Sequence, residues 1–242
     1  MDKDALKGRT ALVTGSTRGI GAAIASQLES RGVRVIRQGT KPADGTIGAD
    51  LSDTAGAPAL WDEALAMADG QIDMLINNAG VFEASPIALE DDAWLENWQR
   101  SQQINLTAAA QLSRVAVLHW EARGSGGRLV QVASRAAYRG DSPDHWHYAA
   151  AKGGMVAMGK TIARHYAHER IYCFTICPGF VDTAMAGDYL ATRGGPALLA
   201  DIPLGRVAEP EEIGRIATFC ALDAPASMTG AVIDANGASF VR

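Results

Sequence analysis

The stretch Thr10-Ala11-Leu12-Val13-Thr14-Gly15-Ser16-Thr17-Arg18-Gly19-Ile20-Gly21 decides how the rest of the chain reads. Its first four residues have strand character, the next eight hold three glycines, and a segment of helical period, 20–31, follows without a break. Glycines there let the backbone turn tightly and approach a pyrophosphate, while the helix N-terminus supplies unpaired N–H groups and a partial positive charge. The spacing Gly15-x3-Gly19-x-Gly21 differs from G-x-G-x-x-G, so its place at the first strand-to-helix junction carries the reading. Gly15, Ser16, Thr17, Arg18, Gly19, Ile20 and Gly21 are expected to contact a dinucleotide.

Outward from this stretch the alternation repeats. Val33–Ile36, Ile72–Ile76, Arg128–Val132, Ile171–Ile176 and Ala231–Asp234 read as strands, separated by amphipathic segments 58–69, 91–121, 148–169 and 209–222. Strand and helix in turn predict an α/β fold: a doubly wound parallel sheet with helices on both faces. Thr46–Ala49 reads as a further strand, too close to the second for a crossover helix, so a turn is expected between them. No linker, repeat or low-complexity tract interrupts the 242 residues, which are expected to form one domain, 1–242.

Composition agrees: 48% hydrophobic residues fill a core, and 20% charged residues keep it in solution. With 22 Lys+Arg against 27 Asp+Glu the net charge is −5, which argues against nucleic acid as a partner. The charged start, Met1–Arg9, is unlike a secretory signal, and no run approaches ~20 apolar residues, so a cytoplasmic protein without membrane contact is expected. Cys173, Cys177 and Cys220 read as buried thiols.

Cofactor choice should show at the end of the second strand, where a carboxylate accepts from a ribose 2′-hydroxyl and a base accommodates a 2′-phosphate. The sequence there is Arg37-Gln38-Gly39-Thr40-Lys41, with no acid before Asp44. Arg37, Thr40 and Lys41, with Arg18 in the glycine loop, favour NADP(H) over NAD(H).

Four motifs in order now resemble the short-chain dehydrogenase/reductase family, and the likeness runs over nearly the whole chain. They are the glycine loop 14–21, Asn77-Asn78-Ala79-Gly80, Tyr148-x3-Lys152, and Pro178-Gly179-Phe180-Val181-Asp182-Thr183. The resemblance, which extends to 3-oxoacyl-carrier-protein reductase-like members, implies a Rossmann-like fold and hydride transfer between a nicotinamide and a carbonyl or secondary alcohol. Tyr148 and Lys152 also stand on independent chemistry: four apart on a helix they share a face, and an ammonium beside a phenol is expected to lower its pKa. Tyr148 then acts as general acid in reduction and general base in oxidation. By resemblance Lys152 also binds the nicotinamide ribose, Ser134 polarises the reacting oxygen, and Asn105 anchors a water in a proton relay to the lysine. Asp50 and Leu51 then contact adenine, Asn78, Ala79, Gly80, Pro178 and Gly179 line the cofactor, and Val181 and Thr183 hold the carboxamide. The family also implies a homo-oligomer, a tetramer or dimer.

Several features depart from that pattern. Ser134 and Tyr148 are 14 positions apart, one more than usual, which puts an extra residue within Asp141–His147 and leaves Ser142 as a weaker competitor for the serine role. Phe174 replaces a frequent Asn, Asp234-Ala235-Asn236-Gly237 replaces Asp-Gly-Gly, and segment 38–49 is short. His145-Trp146-His147 tempts a metal assignment, but two histidines without a carboxylate or thiol cluster are poor ligands; no metal is expected, and lining the substrate pocket competes with a plain surface loop. Trp94, Trp98 and Trp120 read as core or interface, and Gly124-Ser125-Gly126-Gly127 as a turn rather than a nucleophile elbow. Substrate choice is expected to lie in 184–205, with Met185, Tyr189, Leu190, Leu198 and Leu199 forming a partly apolar pocket or lid. The alternatives are an epimerase or dehydratase on the same fold, for which the chain is short, and a non-catalytic dinucleotide-sensing or scaffold protein.

Overall fold

Leu12 sits between Ile36 of the next strand on one side and Leu75 of another on the other, and this register centres the molecule. A computed structural model describes residues 8–183 and 195–242, with only the backbone of 196–198. The strands are β1 (Thr10–Val13), β2 (Arg34–Gly39), β3 (Thr46–Gly48), β4 (Met74–Asn77), β5 (Gly127–Val132), β6 (Ile171–Pro178) and β7 (Val232–Ala235). They form one sheet in the order β3-β2-β1-β4-β5-β6-β7, with every pairing parallel. The helices are α1 (Gly19–Ser30), α2 (Gly56–Met67), α3 (Asp91–Gln102), α4 (Ala108–Arg123), α5 (Ala136–Arg139), α6 (Trp146–Tyr166), α7 (Gly195–Ala200) and α8 (Pro210–Thr218).

Alternation along the strands builds two cores. Leu12, Ile36, Leu75 and Leu129 pack with Leu60 and Trp61 of α2, Leu112 and Trp120 of α4 and Ile162 of α6. Ala11, Val13, Ile76, Val130 and Phe174 face the other way, against Ile24 and Leu28 of α1 and Ile213 and Ala217 of α8. The central strands β1, β4, β5 and β6 are therefore apolar on both faces, the pattern of a parallel sheet covered on both sides. All three cysteines are buried and free, as the sequence reading had them, and burial pushes Cys173 and Cys220 up to about 12.

Residues 40–45 hold the expected turn, closed by a bridge between Ala43 and Thr46. The segment 91–121, read as one helix, is two: a π turn at Gln103–Thr107 separates α3 from α4. α5 and α7 were not anticipated, being too short to show a period. Trp120 is fully buried and donates its Nε1–H to the Ile72 carbonyl at 2.7 Å, whereas Trp94 and Trp98 stack on one another along α3. Of the expected substrate segment, Met185, Tyr189 and Leu190, with the side chain of Leu198, lie outside the described residues. Leu199 is exposed. No helix among the described residues is long and apolar enough to cross a membrane.

Candidate active site

A cavity of about 820 Å³ opens at the C-terminal ends of β1, β2, β4, β5 and β6, where open parallel sheets place their ligand sites. Its floor is the glycine loop. Gly15 has φ +62° and lies so close to the β4 end that a Cβ would come within 2.9 Å of Ala79 Cα. The Thr14 hydroxyl accepts from the N–H groups of Asn78 and Ala79, each at 3.0 Å, and Asn78 Nδ2 donates to the carbonyls of Thr14 and Gly15. These bonds join the 14–21 and 77–80 motifs into one wall. Helix α1 starts with no side-chain cap and no acid in its first turn, so its leading N–H groups remain available to an anion.

Gly15, Thr17, Arg18, Gly19, Ile20, Gly21, Asn78, Ala79 and Gly80 line this cavity. Ser16 does not. Its side chain is buried, accepting from Gln38 N–H at 2.9 Å and donating to the Gln38 carbonyl, a structural task that the motif alone does not reveal. Thr40, Asp50 and Leu51 line the far end, where hydrogen bonds from Ser52 hold the Asp50 carboxyl below its ordinary pKa. The expected phosphate-binding group needs correcting. Arg37 points to α1, pairs through two nitrogens with Glu29 at 2.8 and 3.1 Å and donates to the Ser16 carbonyl; Lys41 is exposed, and neither lines the cavity. Side chains alternate along a strand, so Arg37 and the cavity-facing Gln38 lie on opposite faces. Arg18 does line it, and its guanidinium has no hydrogen-bond or ion-pair partner among the described residues.

The reacting end is built by β5, α6 and the loop after β6. Ser134 follows β5 and Tyr148 and Lys152 lie one helical turn apart on α6; all three line the cavity, with the Ser134 side chain beside the Tyr148 hydroxyl. Lys152 is buried, donates to the Val132 carbonyl at 2.9 Å, and holds its nitrogen 5.7 Å from the Tyr148 ring centre. Burial, only partly offset by the neighbouring Ser134 hydroxyl, pushes Tyr148 up to about 12, and burial brings Lys152 down to about 8. The expectation that Lys152 lowers the phenol pKa is therefore not met: in this setting desolvation of each charged form dominates.

Asn105 lies in the π turn and is fully buried, outside the cavity lining. Its oxygen accepts from Val81 N–H at 3.0 Å, and its Nδ2 donates to the Val81 carbonyl and the Ser101 hydroxyl. The amide is thus engaged in fixing Gly80-Val81 beside Lys152, and the relay role assigned by resemblance gains no free N–H from it. A Cβ on Gly80 would come within 2.7 Å of Asn105 Oδ1 and 3.5 Å of Lys152 Nζ, so this glycine sets how closely the two approach.

Pro178, Gly179, Val181 and Thr183 line the cavity opposite Lys152. Gly179 abuts Asn236, a Cβ there falling 2.9 Å from Asn236 Cα, so the altered 234–237 segment buttresses the Pro-Gly turn. Phe174 is a fully buried core residue. Ser142 turns away from the cavity and bonds His145 Nδ1 at 2.6 Å; Ser134 alone of the two serines lines it. His145 and His147 are both buried and neither lines the cavity. Burial lowers the His147 pKa, and no group of three or more potential metal ligands occurs among the described residues. Sequence reasoning missed Gln38 and Phe82. Gln38, a polar residue at the end of an apolar strand, accepts from Gly15 N–H and donates to the Ala49 carbonyl, each at 2.8 Å; Phe82 lines the cavity two residues beyond the Asn-Asn-Ala-Gly motif.

Residues 15–237 match a family model described as enoyl-(acyl carrier protein) reductase. An uncharacterized short-chain type dehydrogenase/reductase of Sinorhizobium fredii is 34% identical, over 98% of this chain and 99% of that one. The 3-oxoacyl-acyl-carrier-protein reductase of Vibrio cholerae is also 34% identical, with the same shares covered. Among solved structures, a candidate NAD(P)-dependent gluconate 5-dehydrogenase of Beutenbergia cavernae, with NADP bound at low occupancy, superposes with a TM-score of 0.86 at 32% identity, covering 96% of each chain.

Proposed function

Because the chain belongs to the short-chain dehydrogenase/reductase family, we propose that it is an NADP(H)-dependent oxidoreductase that interconverts a carbonyl and a secondary alcohol, using Ser134, Tyr148 and Lys152. The observation that carries this reading is the shared cavity: Tyr148 and Ser134, side by side, meet buried Lys152 at one end, and Arg18 stands without a partner among the described residues at the other. The residues fit a phosphorylated dinucleotide. The uncapped start of α1 would offer N–H groups to the pyrophosphate, Arg18 and Thr40 would hold a 2′-phosphate, Asp50 and Leu51 the adenine end, and Gly179, Val181 and Thr183 the nicotinamide end. Bound there, the dinucleotide supplies or accepts the hydride.

The chain's own work is positioning and proton transfer. The hydroxyls of Ser134 and Tyr148 hold the carbonyl oxygen. As the carbon gains hydride, the π pair moves onto that oxygen, Tyr148 O–H gives it the proton, and the Ser134 hydroxyl stabilises the charge on the way. A phenol held near 12 is protonated at neutral pH, which suits the reductive direction. Lys152 binds the nicotinamide ribose and carries a charge beneath the phenol. We read the whole chain as one cytoplasmic domain and as a homo-oligomer, the last supported by Leu118 on α4 and Trp146 on α6, apolar side chains left about half exposed.

The test is a panel of ketones with NADPH and NADH, run with Tyr148→Phe alongside. Activity preferring NADPH and lost in the Phe variant is expected. Turnover undiminished in that variant refutes the chemistry, and tighter binding of NADH refutes the cofactor assignment.

A further inference from the structure

Resting on the reading above, we propose that Phe82, held from behind by His145, is the specificity-determining residue of the substrate pocket and selects ketones with a flat apolar substituent on the reacting carbonyl. Phe82 lines the same cavity as Ser134 and Tyr148. Its ring meets the Tyr148 ring edge to face, with centres 4.9 Å apart. A carbonyl oxygen that accepts from Tyr148 and Ser134 places its carbon, and the first atoms of its substituents, within a few bonds of that ring pair. One substituent therefore lies against Phe82.

Phe82 is packed from behind by the segment leading into α6, within the stretch Asp141–His147 where the family resemblance puts an extra residue. His145 is buried and stacks on Phe82 with ring centres 3.8 Å apart and planes 9° from parallel. The histidine is fixed in turn: Nδ1 shares a hydrogen bond with Ser142 Oγ at 2.6 Å, and its N–H donates to the Ser142 carbonyl at 2.9 Å. The same segment is tied to the stretch between β4 and α3 by Ser85 N–H donating to the Asp144 carbonyl at 2.8 Å. Phe82 is thus clamped between a stacked imidazole and the catalytic phenol, so the wall does not yield to fit a substrate. A charged substituent against the Phe82 ring loses water and gains no partner from the ring itself, whereas a flat apolar one gains burial and ring contact. His145 acts through Phe82 and is a positioning residue.

The experiment compares kcat/KM, with NADPH, for two ketones that differ only in one substituent, phenyl or carboxylate, in the wild type and in Phe82→Ala, His145→Ala and His145→Phe. The wild type is expected to favour the phenyl ketone. Phe82→Ala is expected to shrink that preference roughly tenfold, mainly through KM of the phenyl ketone. His145→Ala is expected to move it the same way by a smaller factor, and His145→Phe, which keeps the stack, to restore it. A wild-type preference for the carboxylate, or a preference in Phe82→Ala within twofold of the wild type, overturns the proposal and leaves the reductase reading standing. Loss in His145→Ala that His145→Phe does not restore overturns the positioning role. A wild type that reduces neither ketone, nor any in the wider panel, overturns the underlying reading and this proposal with it.

Discussion

Replacing Arg18 by Met separates the cation that faces the cofactor cavity from one that was only close in sequence. Arg18 has no partner among the described residues, and its side chain makes no capping bond to α1, so Arg18→Met removes a charge without breaking a contact. A hydrogen bond to a charged group is worth about 1.5–3 kcal/mol, and each 1.4 kcal/mol is tenfold, so KM for NADPH should rise roughly 10- to 150-fold. KM for NADH, which lacks the phosphate, should stay within about twofold. The control is Arg37→Met with Glu29→Gln, which deletes the Arg37–Glu29 pair as a unit and leaves no bare carboxylate. That pair is partly exposed, so the double variant should lose about 0–1 kcal/mol of stability and keep its NADPH to NADH preference. Initial rates with both cofactors, measured at two salt concentrations, decide the matter, since a phosphate contact near the surface weakens with salt. If the Arg37 variant loses NADPH preference as severely as Arg18→Met, the assignment of the phosphate site is wrong.

Three further outcomes follow from the same geometry. Tyr148→Phe should lower kcat by roughly 10²- to 10⁴-fold while leaving NADPH affinity, read by fluorescence titration, nearly unchanged. For reduction, the acid form of Tyr148 persists to about 12 and the ammonium of Lys152 is lost above about 8, so kcat/KM should be flat below pH 8 and decline above it; a profile level to pH 10 would show that the lysine charge is not required. Gly127→Ala places a methyl 2.1 Å from the Trp120 ring, which is fully buried and hydrogen-bonded, so urea unfolding should show a loss of about 1–3 kcal/mol or more, and an unchanged midpoint would mean that β5 and α4 separate freely.

The sheet was legible because its central strands are buried on both faces and short, a pattern that β1 shows in four consecutive buried residues. Breaks inside helical segments were not legible. The π turn at 103–107 changes the hydrogen-bond ladder without changing the apolar period enough to be seen, and the four residues of α5 have no period to read. In the site, Ser134, Tyr148 and Lys152, singled out by spacing and motif, share one cavity. Spacing failed for Arg37 and Ser16, where direction mattered more than position: one residue along β2 separates the cavity-facing Gln38 from an arginine turned to Glu29. Phe82 was missed because aromatic character alone does not distinguish a pocket wall from core.

The sign of the Tyr148 and Lys152 shifts follows from a similar distinction. Helical spacing of four residues guarantees a shared face and says nothing about the surrounding dielectric. Here Lys152 is buried and its nitrogen donates to the Val132 carbonyl, so the favourable effect of its charge on the phenol competes with the loss of water around both. Loss of water dominates, separating a phenol near 12 from an amine near 8. At neutral pH the site therefore holds a proton donor above a mostly charged amine, the arrangement that reduction of a carbonyl needs. Oxidation of an alcohol needs the phenolate, which this environment disfavours, so the same burial that gives Tyr148 its proton makes the reverse direction the one that benefits from rising pH for as long as Lys152 keeps its charge.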